Sequence, residues 1–221
     1  MSYFFLCRYI YNKLIFKKNI LMSSEVIVAF ITGVIGPLAL LYVKNKLEKK
    51  EKPDMVKEAL QVSELVTSKI EHIKEEFKAD RVWITQFHNG GHFYPTGKSM
   101  AKFSIIYESV SQNTNSVQLN FQNIPVNLFS KSINQLLEND IIEIPDFKDE
   151  KIATYGLKYI AEDTTCKSGY LFAIKTIDNK FIGTLGLDYT KRKTKLDMES
   201  INHLQVHATA IGGVLMGHLE R

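Results

Sequence analysis

Cysteine is nearly absent: Cys7 and Cys166 are the only two in 221 residues, and they stand far apart. That excludes a disulfide framework and any Cys-x-x-Cys metal ribbon, and makes a reducing compartment the default. The glycines form neither a Gly-x-Gly-x-x-Gly fingerprint nor a P-loop, so nothing supports nucleotide binding. A His-Glu-x-x-His run is also missing, since Leu204 and Gln205 follow His203. Net charge is only +4, and much of the basic excess sits in residues 8–18, 44–52 and 191–195. The first two clusters flank an apolar run, which points to a membrane and not to nucleic acid as partner. An apolar share of 45% against a charged share of 24% excludes a disordered chain.

Residues 26–43, VIVAFITGVIGPLALLYV, run without a charge. That is close to the shortest length that crosses a bilayer as a helix, and the run is apolar on every face. Charged residues follow it with no small-x-small site, so a cleaved signal peptide fits less well. Residues 1–21 are aromatic and basic. They read either as an interfacial helix or as sequence ahead of a true start at Met22. Lys44, Lys46, Lys49, Lys50, Lys52 and Lys57 follow the span, so positive-inside asymmetry leans towards a cytoplasmic globular domain. The expected organisation is a basic N-terminal segment (1–25), a transmembrane helix (26–43), a charged linker (44–53) and a globular domain (54–221).

Within that domain, Met55, Ala59, Val62, Val66, Ile70, Ile73 and Phe77 recur at spacings of four and three, predicting an amphipathic helix to about residue 78. Residues 82–87 and 103–110 read as strands. Between them, residues 88–97 hold three glycines and a proline beside His88, His92, Phe93 and Tyr94. A short strand at 117–121, a helix near 128–138 capped by Asn127, and a strand at 141–144 are expected next. Residues 148–162 read as a short helix or an ordered loop. Two strands, 169–177 and 181–189, follow with a turn at Asp178-Asn179. A last helix begins at Asp197 with Ile201, Leu204, Ala208, Ile211 and Leu215 on its apolar face.

This order makes an α+β fold, an antiparallel sheet flanked by helices. It resembles a GAF domain, the sensor module related in fold to PAS domains, over residues 55–219. The matching stretches are SGYLFAI at 168–174, DNKF at 178–181, IGTLGLD at 182–188, and Leu196-Asp197. The HNGG segment at 88–91 is also similar to one in uncharacterised bacterial and phage GAF-like proteins. The resemblance implies a pocket between the sheet and residues 145–166, and names no ligand or cofactor. The acidic signature of cyclic-nucleotide-binding members is missing. Cys166 is followed by Lys167 where bilin-bearing members commonly carry Cys-His, and the domain holds no second thiol for methionine sulfoxide reduction.

The expected ligand-binding group joins His88, Asn89, His92 and Tyr94 with Tyr107 and Glu108, which offer hydrogen bonds and stacking surface. They assemble no nucleophile–base–orienter set, so binding is expected ahead of catalysis. His88 and His92 would need Glu108 or Asp188 to hold a metal. His203 and His207 have helical i,i+4 spacing, and the ordinary reading makes them surface or interface residues; no metal site is expected. The expected function is a membrane-anchored sensory or small-molecule-binding protein that signals through a homodimer or another partner. The alternative is a membrane-anchored structural or interaction protein, of the kind a phage could encode, with a vestigial pocket.

Overall fold

The computed structural model describes residues 24–47, 54–92, 95–149, 157 and 164–219, and divides at residue 54 into two units. The first holds α1 (Ser24–Phe30), a π-helical turn (Ile31–Ile35) and α2 (Gly36–Leu47). Val26–Lys44 has a mean hydropathy of 2.4 and none of it is buried, so one helix here is long and apolar enough to cross a membrane. The π-turn has a local cause. Pro37 lacks an N–H and its ring would press on the carbonyl four residues back, so the ladder widens one turn earlier. Gly36 N–H donates to Ile31 O in that wider turn.

The second unit contains α3 (Met55–Glu76), β1 (Arg81–His92), β2 (Ser99–Val110), β3 (Ile124–Pro125), a 3-10 turn (Val126–Phe129), α4 (Ser130–Asn139), β4 (Ile141–Ile144), β5 (Ser168–Lys175), β6 (Phe181–Tyr189) and α5 (Met198–Leu219). The strands form one sheet in the order β3-β2-β1-β6-β5-β4, with every neighbouring pair antiparallel. Side chains alternate across it. Val82, Ile84, Phe172, Leu185 and Leu187 meet Val66, Ile70 and Ile73 of α3 and Leu204, Ala208 and Ile211 of α5 on one face. Trp83, Phe103, Ile105 and Leu171 meet Phe129 and Leu136 on the other. Each fully buried Ile or Leu contributes about 1.5–3 kcal/mol by leaving water. That outweighs the weak helix preference of β-branched residues in α3.

Several expectations are corrected. β1 runs on to His92, so HNGG lies in a strand and the connection shortens. It stays extended through a register irregularity between Asn89 and His92, with Gly91 at φ +71. Residues 117–121 form turns, not a strand; Phe121 O nevertheless accepts a bond from Ile105 N at 2.9 Å. Asn127 caps nothing, because Pro125 starts a 3-10 turn and the α-helix begins only at Ser130. The Asp197 cap is present: Ser200 N donates to its Oδ1 at 2.8 Å. Residues 150–156 and 158–163, most of the expected helix or loop at 148–162, lie outside the described residues.

Candidate functional site

β1 enters the sheet through a charged residue that is wholly buried. Arg81 Nε donates to Asp188 Oδ2 at 2.8 Å, and Nη2 lies 2.7 Å from the same oxygen. Nη1 donates to Asn115 O at 2.9 Å, and Glu108 Oε1 is 4.0 Å from Nε. Trp83 Nε1 also donates to Asp188 Oδ2, at 3.0 Å. The register explains this convergence: Arg81 is opposite Asp188 in β6, and Trp83 is opposite Gly186. A buried carboxylate is tolerable here because a cation and an indole N–H both satisfy it. Asp80, just before the strand, accepts from the amides of Thr190 and Lys191 at 2.8 and 3.0 Å. Burial pushes its pKa up, but those amides and the Lys191 ammonium outweigh this and leave it below the usual carboxylate range.

Beside the network lies a cavity of about 50 Å³, walled by Trp83, Thr85, Phe103, Phe129, Ser132 and Leu136 among others. It sits between the sheet and α4. Phe103 and Phe129 meet edge-to-face with ring centroids 5.1 Å apart. The cavity wall is almost wholly apolar. Its polar groups are largely occupied: Thr85 Oγ1 accepts from Thr184 N at 3.1 Å, and Asp188 holds Arg81 and Trp83. Ser132 is different. It is 3% exposed, and its Oγ has no hydrogen-bond partner among the described residues. A buried hydroxyl left unmatched costs about 1–3 kcal/mol. The sequence did carry a signal for it, since Ser132 shares the helical face of Phe129, Ile133 and Leu136.

The residues expected to bind a ligand are not gathered around this cavity. His88 is half-buried, with Nε2 2.9 Å from Ser104 Oγ; Asn89 and His92 are exposed near the far end of the β1–β2 hairpin. Tyr94 lies outside the described residues. Tyr107 packs into the helix-side core, where burial pushes its phenol pKa up. Glu108, next to it, faces the other way and is architectural. It accepts from the Ser116 hydroxyl and from the amides of Val117 and Gln118 at 2.9 and 3.2 Å. His88 is opposite Lys102 and Glu108 opposite Trp83. Five strand residues, about 17 Å, therefore separate the two groups along the sheet.

Cys166 is buried, and its thiol donates to Ser168 O at 3.2 Å. Burial, reinforced by the nearby Asp188 carboxylate, pushes its pKa up, so the thiolate needed of a nucleophile is disfavoured. A group that the sequence did not reveal joins the two longest helices. His203 Nδ1 is 2.9 Å from Glu76 Oε1, and His207 Nε2 is 3.5 Å from Glu76 Oε2. The expectation of surface or interface histidines named no carboxylate partner; it comes from α3, more than a hundred residues earlier.

No protein-family model and no curated protein matches the sequence. Solved structures do match the fold. A far-red cyanobacteriochrome photoreceptor aligns over 80% of this chain and 98% of its own, at 13% identity and a TM-score of 0.58. The blue-light-absorbing form of the Thermosynechococcus elongatus PixJ GAF domain aligns over 74% and 90%, at 16% identity and 0.58. The phycocyanobilin-bound GAF domain of a cyanobacterial phytochrome aligns over 75% and 91%, at 17% identity and 0.56. These comparisons lend no support to a relationship with HNGG-containing proteins. At such low identity the likeness is one of architecture, and it agrees with the six-stranded antiparallel sheet and its flanking helices: the second unit has the GAF fold.

Proposed function

We propose that this chain is a membrane-anchored sensory protein whose GAF-fold domain binds a compact small molecule in the cavity beside Trp83. The orphaned Ser132 hydroxyl in an apolar wall carries the reading, because one hydrogen-bonding group on a mainly apolar ligand would satisfy it. Related folds supply the precedent, one of them in a phycocyanobilin-bound form. Cys166 is not among the cavity residues, so the wall offers no thiol to a covalently linked bilin. The ligand is read as a compact, non-covalently held molecule, and the domain binds it without reacting.

The test is thermal denaturation of the full chain in detergent, with and without a panel of compact phenols, indoles and short-chain alcohols. Wild type should gain several degrees with at least one compound. Ser132→Ala should lose that gain yet melt no lower on its own, since it removes an unmatched hydroxyl. A ligand-independent drop on Ser132→Ala, with no compound stabilising wild type, would leave the cavity as packing alone.

Anchoring rests on the uncharged run 26–43 within the apolar helix Val26–Lys44, and the lysines beyond it favour a cytoplasmic domain. Self-association would use the side of α3 that the domain core leaves uncovered, where Val56 and Leu60, one turn apart, are exposed. Membranes from cells producing the full chain check both. After a carbonate wash the protein should remain in the pellet, and a lysine cross-linker should yield a dimer. Release to the supernatant removes the anchor; monomer alone removes the association.

A further inference from the structure

We infer that Glu76, His203 and His207 form a binding site for a divalent transition ion of the zinc class, clamping the first helix of the domain to its last. The carboxylate and the two ring nitrogens offer ligand atoms that all lie within 4.8 Å of one another. His203 Nδ1 lies 2.9 Å from Glu76 Oε1 and His207 Nε2 lies 3.5 Å from Glu76 Oε2, so each imidazole faces one oxygen of the same carboxylate at close to the edge of a zinc tetrahedron, about 3.3 Å for bonds of about 2.0–2.1 Å.

The helices make the arrangement. His203 and His207 are one turn apart on α5, with ring centroids 4.6 Å apart, so both imidazoles project from one face. Glu76 closes α3 opposite them. One turn before it, His72 Nε2 lies 3.5 Å from Glu76 Oε2. His72 is 69% exposed and free to swing in as a fourth ligand, with water as the substitute.

A second feature separates this cluster from a solvated ion pair. His207 Nε2 is buried and has no hydrogen-bond partner among the described residues, although it faces the Glu76 carboxylate. A metal ion would convert that orphaned nitrogen into a ligand. Phe77 packs edge-on against both imidazoles, with centroids 6.0 and 6.3 Å away, and walls one side of the site. Two imidazoles and a carboxylate suit zinc, and also cobalt or nickel, better than magnesium or calcium. The inference is independent of what occupies the cavity on the other face of the sheet.

The experiment titrates zinc chloride into the metal-stripped, untagged full chain in detergent, alongside Glu76→Gln and His203→Gln. Both residues are partly exposed, so these variants keep the helix packing, and circular dichroism verifies it. Wild type should bind one zinc per chain and melt at a higher temperature when loaded. Each variant should lose at least about 10–100-fold in affinity. Cobalt(II) should give the intense visible absorption of a four-coordinate site in wild type and not in the variants. Wild type that binds no zinc, or variants that bind it equally well, would overturn the proposal.

Discussion

Asp188→Ala is expected to unfold the GAF-fold domain or leave it barely stable. The carboxylate is 4% exposed and Arg81 is fully buried. Without Asp188, the guanidinium keeps only Asn115 O at 2.9 Å and a Glu108 oxygen at 4.0 Å, while the Trp83 N–H loses its acceptor. Breaking a buried pair from one side costs about 3–5 kcal/mol, because the remaining charge is stranded away from water. Whole-domain stability is about 5–15 kcal/mol, so this is a large share of it. The paired replacement Arg81→Met with Asp188→Leu strands no charge and should cost clearly less than the sum of the two single changes. Trp83 is the only tryptophan and touches Asp188 directly, so its fluorescence reports the melt. A loss below about 1 kcal/mol on Asp188→Ala would put the network at the level of an ordinary surface ion pair.

Two glycines in β6 should separate sharply when each is changed to alanine. At Gly183 an added Cβ would stand 2.0 Å from Thr85 O and 3.0 Å from Thr85 C, which are backbone atoms of a central strand. They can move only if the β1–β6 ladder breaks, so Gly183→Ala should cost more than the roughly 1–3 kcal/mol of ordinary overpacking. At Gly186 the obstacle is the Trp83 ring, 2.2 Å away at its nearest atoms. A ring can rotate. Gly186→Ala should therefore fold, but with the indole pushed towards the cavity and its bond to Asp188 lost, at about 1–3 kcal/mol. Its tryptophan emission should shift while far-UV circular dichroism is retained. Equal behaviour of the two variants would contradict the distinction between backbone and side-chain obstruction.

These effects show where local sequence reasoning stops. The helices and the β5–β6 hairpin were legible because their apolar periodicity matches the faces that become buried. Ile201, Leu204, Ala208, Ile211 and Leu215 all reach the core as the pattern required. The turns at 117–121 were not legible. Their apolar residues resemble a strand, but the Glu108 carboxylate, reaching across from β2, captures the Ser116 hydroxyl and two amides and helps to fix them as turns. The pairing of Arg81 with Asp188 is created by the β1–β6 register, which sets residues 107 positions apart opposite each other.

The candidate site was less legible still. Chemistry-bearing residues close in sequence, from His88 to Glu108, were expected to converge, but strand alternation sends Tyr107 and Glu108 to opposite faces. The cavity instead uses a hydroxyl on α4, and the histidine pair of α5 finds its carboxylate on α3. Neither the cavity nor the carboxylate–histidine pairing can be read from one local pattern, although Ser132 shares the apolar face of its helix. Only packing creates them.

Whether the cavity beside Trp83 is a ligand site is tested most directly by a crystal structure of the full chain purified from its native cells. The account predicts density for a compact, non-protein molecule in van der Waals contact with Phe103 and Leu136, placing one polar atom within hydrogen-bond distance of Ser132 Oγ. A cavity closed by the domain's own side chains, with the Ser132 hydroxyl bonded to the protein itself, would contradict it.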